Sequence, residues 1–331
     1  MPRRQVDVSV VSRKLRAPFV IARGTKTVQV ALCVSITEGE STGHGESSGV
    51  EYKGETAQTM LADVERVRGA LQDGASRHDV LDFLPPGGAR AACDGALWDL
   101  EAKASGEAAW ELAGLSEAPA PVVTATTLTL STPTDMLAAA QRAKYSKLIK
   151  VKIGGGDGLD IDRVRAVRQG APHATLVVDG NQGCLDHELR ALCDALSELD
   201  VKLLEQPLRR GEDHKLLDVQ TDVPLCADES LDTAADVAEL SKIYQYGNIK
   251  LDKCGGLTAG LELADRLEEA GMGIFIGCMI CGTRSIAPSF LLTHRATYID
   301  LDGPLWLAED SHTTHLNEDG LLPPPPKEFW G

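Results

Sequence analysis

From residue 122 to residue 302 the chain repeats one unit: a short apolar run, a polar turn, and a stretch with apolar residues at helical spacing. The runs are VVTATTLTL (122–130), LIKVKI (148–153), TLVVDG (175–180), VKLLEQ, PLCAD (224–228), GNIKLD (247–252), GIFIG (273–277) and TYIDLD (297–302). Between them lie IDRVRAVRQG, LRALCDALSELD, TAADVAELSKI and AGLELADRLEEAG, whose spacing predicts amphipathic helices. Eight strands alternating with about seven helices specify a parallel β/α barrel. A doubly wound open sheet would use similar strands, but the count of eight and the lack of a GxGxxG turn favour closure.

The first 118 residues read differently. QVDVSVVSRKL, TVQVALCVSITE and STGHGES alternate as an antiparallel meander with one polar face. Two helical stretches follow, GETAQTMLADVERVRGALQ and GARAACDGALWDLEAKASG. The expected organisation is an N-terminal α+β capping domain (1–118), a (β/α)7β TIM-type barrel (119–310) and a C-terminal tail (311–331). The tail LPPPPKEFWG is expected to return to the capping domain, because a proline run extends neither a helix nor a central strand.

Composition narrows the partners. With 33 Lys+Arg against 49 Asp+Glu, a formal net charge of −16 disfavours nucleic acid and anionic membrane surfaces. The N-terminal MPRRQVDVSVVSRKL has no secretory apolar core and no uncharged run is long enough to span a bilayer, so a cytoplasmic location is expected. The eight cysteines are scattered through apolar segments, which suits buried thiols in a reducing compartment. Cys278-Met279-Ile280-Cys281 has redox-motif spacing, but no second CxxC or His pair completes a zinc site. A small-molecule substrate is the expected partner, and a homo-oligomer is left open.

The chemistry lies at the C-terminal ends of the runs, which carry Lys152, Asp179, Glu205, Asp228, Lys250 and the pair Asp300 and Asp302. Successive spacings from Lys152 to Lys250 are 27, 26, 23 and 22 residues, and 50 more reach Asp300, two further repeats. Barrel active sites sit at the C-terminal strand ends. One such charge is readily explained as a solvated helix cap; five at matching phase are not. Asp179, Glu205 and Asp228 come from neighbouring strands, so their carboxylates converge and repel unless a cation sits among them. All-oxygen ligands with no His or Cys favour a hard cation, and a partly solvated site favours Mg²⁺ over Ca²⁺.

Lys150 and Lys152 share one face of the strand before this trio, and Lys250 follows it. A metal-held substrate carboxylate would stabilise the enolate formed when the adjacent carbon loses its proton, with one lysine removing and the other returning a proton. Lys150 is expected to supply the positive charge that keeps Lys152 neutral often enough to act. The GGG of KIGGGDG lacks the Lys-Ser/Thr of a P-loop and reads as a turn after the second strand.

KVK (150–152), VVDGN (177–181), LLEQPL (203–208), CADES (226–230) and NIKLDKCGGLT (248–258) resemble the enolase superfamily, in its muconate-lactonising subgroup. The resemblance implies one Mg²⁺ per subunit on Asp179, Glu205 and Asp228, and Lys152 and Lys250 as the acid/base pair. Within the subgroup, FVIARGT (19–25), CDGALWDL (93–100), IGCMICGTRSIA (276–287) and DLDGPLWLAED (300–310) are most similar to L-Ala-D/L-Glu epimerases, the dipeptide epimerases of peptidoglycan-peptide recycling. That likeness implies that Asp300 and Asp302 hold the dipeptide's ammonium group from one face of the last strand. Arg23 would reach over the site towards an acidic substrate side chain, and Thr127 and Lys150 would line the pocket.

The segment GESSGVEYKGET (45–56) lacks the proline-rich pattern of close relatives, and Gly180 stands where a somewhat larger residue is common. Cycloisomerase or o-succinylbenzoate synthase-type lyase chemistry is the alternative on the same barrel, disfavoured because two carboxylates would repel a dianionic substrate. A Schiff-base lysine would leave the three carboxylates unexplained. A non-catalytic barrel would be expected to lack a ligand or a lysine, and none is missing.

Overall fold

The computed structural model describes residues 3–331. β1 (Gln5–Ile21), β2 (Gly24–Glu38) and β3 (Ser41–Ser47) form an antiparallel sheet in that order. The long β1–β2 hairpin turns at Ala22 and Arg23, and its register slips between Lys14 and Phe19, around Pro18, which has no N–H to donate. On β2 the residues Leu32, Val34 and Ile36 alternate inward. They pack on the helix Ala57–Gln72, which offers Met60, Val64, Val67 and Leu71 at helical spacing, and on the helix Gly88–Ser105. The second helix lies directly on β3: a Cβ at Gly45 would sit 1.9 Å from Ala92 O.

The second sheet holds eight parallel strands in chain order: β4 (Thr126–Leu128), β5 (Leu148–Lys152), β6 (Thr175–Asp179), β7 (Val201–Glu205), β8 (Leu225–Ala227), β9 (Tyr246–Ile249), β10 (Gly273–Gly277) and β11 (Tyr298–Asp300). Its edges meet where Ala125 N–H donates to Ile299 O at 2.8 Å and Leu301 N–H to Thr124 Oγ1 at 2.9 Å. This is the barrel the repeat predicted. Most strands are shorter than their apolar runs. Val122 pairs with Leu322 of the tail instead of extending β4, Leu251 begins the short helix Leu251–Cys254, and Asp302 lies beyond β11.

The helical layer is also thinner than expected. A 3₁₀ segment, Asp213–Asp218, lies between β7 and β8, and between β10 and β11 the single helical turn Thr283–Ile286 passes into the 3₁₀ segment Ala287–Arg295. The two layers are joined at Asp94 on the helix Gly88–Ser105, which accepts from Thr258 N–H at 3.1 Å and so caps the barrel helix Leu257–Glu269. From the tail, Trp330 Nε1 donates to Gly95 O at 3.0 Å and Gly331 N–H to Asp99 at 2.7 Å.

Inside the barrel the period of two sorts residues by height. Ala125, Leu148, Val177, Leu203, Cys226 and Phe275 form an apolar plug. Two residues further along four of these strands stand Lys150, Asp179, Glu205 and Asp228. The same side chain direction thus gives a dry floor and a charged mouth.

Candidate active site

At that mouth, oxygens of Asp179, Glu205 and Asp228 lie within 4.8 Å of one another, all three side chains buried. β6 and β7 set Asp179 opposite Glu205 in register, and Asp228 follows β8. Ammonium groups surround them. Lys152 Nζ is 2.6 Å from Asp179 Oδ2, and Lys250 Nζ is 2.6 Å from Asp228 Oδ2. Lys150 Nζ lies 2.7 Å from Glu205, 2.9 Å from Asp300 and 3.2 Å from Asp179, above the Phe275 ring. Its charge is therefore shared among three carboxylates.

The electrostatics follow from crowding in a dry site. Burial alone would raise Asp179, but the Lys152 and Lys150 ammoniums hold it well below the usual carboxylate range. Asp228 is likewise depressed, because Lys250 and Lys253 outweigh its burial. Glu205 goes the other way: burial and the Asp179 charge push it up to about 7. Burial opposes the charge on Lys150 and Lys250, yet the carboxylates beside them raise both. Glu205 resists ionisation even with Lys150 at 2.7 Å, because burial and the Asp179 charge outweigh that ammonium. The donor set of the trio fits a hard divalent cation.

The mouth opens into a cavity of about 620 Å³, roofed by the β1–β2 hairpin and lined by Lys150, Lys152, Lys250, Asp300, Asp302, Thr127 and Arg23. All the predicted lysines and both Asp-x-Asp carboxylates therefore meet in one space with Arg23 and Thr127. Thr127 contributes its backbone N–H, which donates to Asp302 Oδ2 at 2.9 Å. Asp302 also accepts from Trp306 Nε1 at 3.3 Å, and burial together with the Asp300 charge pushes it up to about 7. Asp300 Oδ1 is buried without a hydrogen-bond partner. Arg23 lies over Tyr52, pairs with Glu229 and donates to Asn181 O at 3.1 Å.

Cys278, Met279 and Ile280 line the same cavity, and all eight cysteines are free thiols, six of them buried. Gly180 is dictated by crowding, since a Cβ there would lie 2.8 Å from Cys184 Sγ and 2.9 Å from Pro207 Cα. Four further residues around the site, Asn181, Glu229, Asn248 and Lys253, lie within the motifs VVDGN, CADES and NIKLDKCGGLT, but spacing alone assigns them no role. Asn181 N–H donates to Asp179 at 2.8 Å and its side chain to Glu229 at 3.3 Å. Lys253 stands three residues after Lys250 in the same motif, on the short helix that follows β9.

Residues 3–114 match the family described as mandelate racemase / muconate lactonizing enzyme, N-terminal domain, and residues 135–327 match that described as enolase C-terminal domain-like. An L-Ala-D/L-Glu epimerase of Escherichia coli K12 is 37% identical over 93% of this chain and 95% of its own length. An N-acetyl-D-glutamate racemase of a Pseudoalteromonas species is 39% identical over 76% of this chain and 79% of its own. A solved enolase-family structure from Agrobacterium tumefaciens, with homology to dipeptide epimerases and with bound sodium and L-Ala-L-Glu, superposes with a TM-score of 0.96 at 37% identity, covering 99% and 100% of the two chains. With both of its halves matched in order, the chain belongs to the enolase superfamily, among the mandelate racemase / muconate lactonizing enzymes.

Proposed function

We propose that the protein is a Mg²⁺-dependent dipeptide epimerase, acting on L-Ala-D/L-Glu by inverting the α-carbon of the C-terminal residue. The observation that carries this is the placement of two cavity-facing lysines on either side of a carboxylate trio. Strand order puts Lys152 on β5 and Lys250 just after β9, with the trio-bearing β6, β7 and β8 between them. Inversion requires a proton to leave one face of a carbon and another to arrive at the opposite face. One base suffices for a one-sided reaction; two facing bases serve inversion.

Asp179, Glu205 and Asp228 would hold the Mg²⁺. When bound there, the cation neutralises the substrate carboxylate and supports the negative charge that builds as the neighbouring carbon loses its proton. Lys152 Nζ accepts the α-proton of one diastereomer while Lys250 Nζ delivers its own to the other face, and the roles exchange in the reverse direction. Each lysine is aimed by its carboxylate partner, Asp179 or Asp228. Asp300 Oδ1, buried and unpartnered, and Asp302 receive the dipeptide ammonium. Lys150 braces Asp300 and the Thr127 N–H braces Asp302. Arg23, steadied by Glu229, meets the acidic side chain. The cavity lies within the size range of small-molecule sites.

α-Proton exchange of L-Ala-L-Glu in D₂O with Mg²⁺, followed by proton NMR, tests this reading. Loss of the α-proton signal with appearance of the L,D diastereomer, abolished in Lys152→Ala and in Lys250→Ala, is the expected result. N-acetyl-L-glutamate, which has no ammonium for Asp300 and Asp302, is the comparison substrate. Inversion of the N-acyl compound alone would refute the dipeptide assignment.

A further inference from the structure

Two of the three clustered carboxylates are gripped from behind by one residue on β9 and one on the short helix that follows it. Asn248, on β9, donates from Nδ2 to Glu205 Oε1 at 2.8 Å. Its backbone carbonyl accepts from Lys253 Nζ at 3.1 Å. The same ammonium donates to Asp228 Oδ1 at 2.6 Å and to the Asp228 carbonyl. An ammonium has three N–H groups, and here each has an oxygen. Lys253 is 1% exposed, Asn248 is fully buried, and neither lines the cavity. Lys253 therefore has nothing left to offer a substrate. Lys250, three residues earlier, takes the other oxygen of Asp228 and does face the cavity.

The surrounding backbone is shaped to this arrangement. A Cβ at Gly277, on β10, would lie 2.5 Å from Asn248 Oδ1 and 2.9 Å from Nδ2, so the amide occupies space that any other residue there would fill. The β8–β9 ladder pairs Cys226 with Tyr246 and Ala227 with Gly247 and then stops. By bonding the carbonyls of Asp228 and Asn248, Lys253 carries the join between the two strands past that point, to the level of the carboxylates.

We propose that Asn248 and Lys253 form a bracket of positioning residues that orients Glu205 and Asp228 for the cation. They act through those carboxylates and make no contact with substrate; the inference rests on the metal reading above. With Lys253 holding Oδ1, Asp228 keeps its orientation while Lys250 releases and regains a proton on the cavity side. Partners behind metal ligands typically contribute about 10- to 100-fold in metal affinity.

Binding of Mn²⁺, a hard ion suited to the same oxygen donors, tests the bracket without substrate. Free Mn²⁺ is followed by electron paramagnetic resonance in titrations of the full-length parent, Lys253→Met, Asn248→Leu and Leu263→Ala. Leu263, buried on the helix Leu257–Glu269, is the control for loss of stability alone. A Kd raised about 10- to 100-fold in Lys253→Met and Asn248→Leu, with Leu263→Ala within about twofold of the parent, is expected. A purely structural role would lower the melting temperature of all three and leave each Kd unchanged, which would overturn the proposal. Should Lys253→Met fail to fold, Asn248→Leu, which leaves every charge in place, decides by the same measure. A parent that binds no Mn²⁺ refutes the metal reading itself and the bracket with it.

Discussion

Replacing a carboxylate of the trio should make the metal-free protein more tolerant of alkaline pH. Glu205 is buried against Asp179 and Asp228, and burial with the Asp179 charge pushes it up to about 7 from 4.5. In the unfolded chain it loses its proton near pH 4.5. Between the two values the folded state binds more protons, so stability falls as pH rises through that window and the cost is complete above about 7. At about 1.36 kcal/mol per unit, the shift corresponds to roughly 3 kcal/mol.

Glu205→Gln cannot titrate. Relative to the parent it should gain on the order of 3 kcal/mol between pH 4.5 and 8. A fixed offset, from the lost contact with Lys150, drops out of that difference, as does the matching titration of Asp302, which both proteins share. Urea unfolding in the presence of a chelator, at half-unit pH steps, measures it. In Mg²⁺ at 100 times its Kd the parent should recover about 2.7 kcal/mol and the variant little. A pH-independent difference between the two proteins in chelator would refute the account of Glu205 as a carboxyl pushed up by burial and the Asp179 charge.

Asp302→Asn should raise KM for L-Ala-L-Glu about 10- to 100-fold, the worth of a charge-assisted hydrogen bond, while competitive inhibition by N-acetyl-L-glutamate stays near its parental value; initial rates by polarimetry check both. Arg23→Lys should raise KM for L-Ala-L-Glu about fivefold, the scale of a partly exposed ion pair, with little change for a neutral dipeptide such as L-Ala-L-Leu under the same assay. Gly45→Ala, whose Cβ would sit 1.9 Å from Ala92 O, should cost about 3 kcal/mol or more in urea unfolding, because strand β3 and the helix Gly88–Ser105 must part.

What could be read in advance was what a period of two dictates. Leu148, Lys150 and Lys152 share a direction because they are on one strand, and the repeat fixes how far along the chain the next inward charge must come. Asp179, Glu205 and Asp228 follow by the same rule, so the trio was legible from spacing alone. The limits of that rule mark what was not legible. Asp302 lies two residues past β11, where a backbone turn rather than alternation sets direction, and it owes its place to a Thr127 N–H 175 residues away. The partner of Arg23 is Glu229, 206 residues on, a pairing that exists only once the β1–β2 hairpin has folded across the barrel.

Lys150 makes the point most sharply. Its neighbour in sequence is Lys152, which suggested repulsion between two ammoniums. Its neighbours in space are Glu205, Asp300 and Asp179, brought by three other strands, and they outnumber that one repulsion. A charge on a barrel strand faces the residues at its own height all round the ring before it faces the residue two places along. For this fold the ring at a given height, rather than the strand, is therefore the unit in which the charge of a side chain should be reckoned. By that reckoning Lys150 ties the carboxylate trio to the Asp300 end of the cavity.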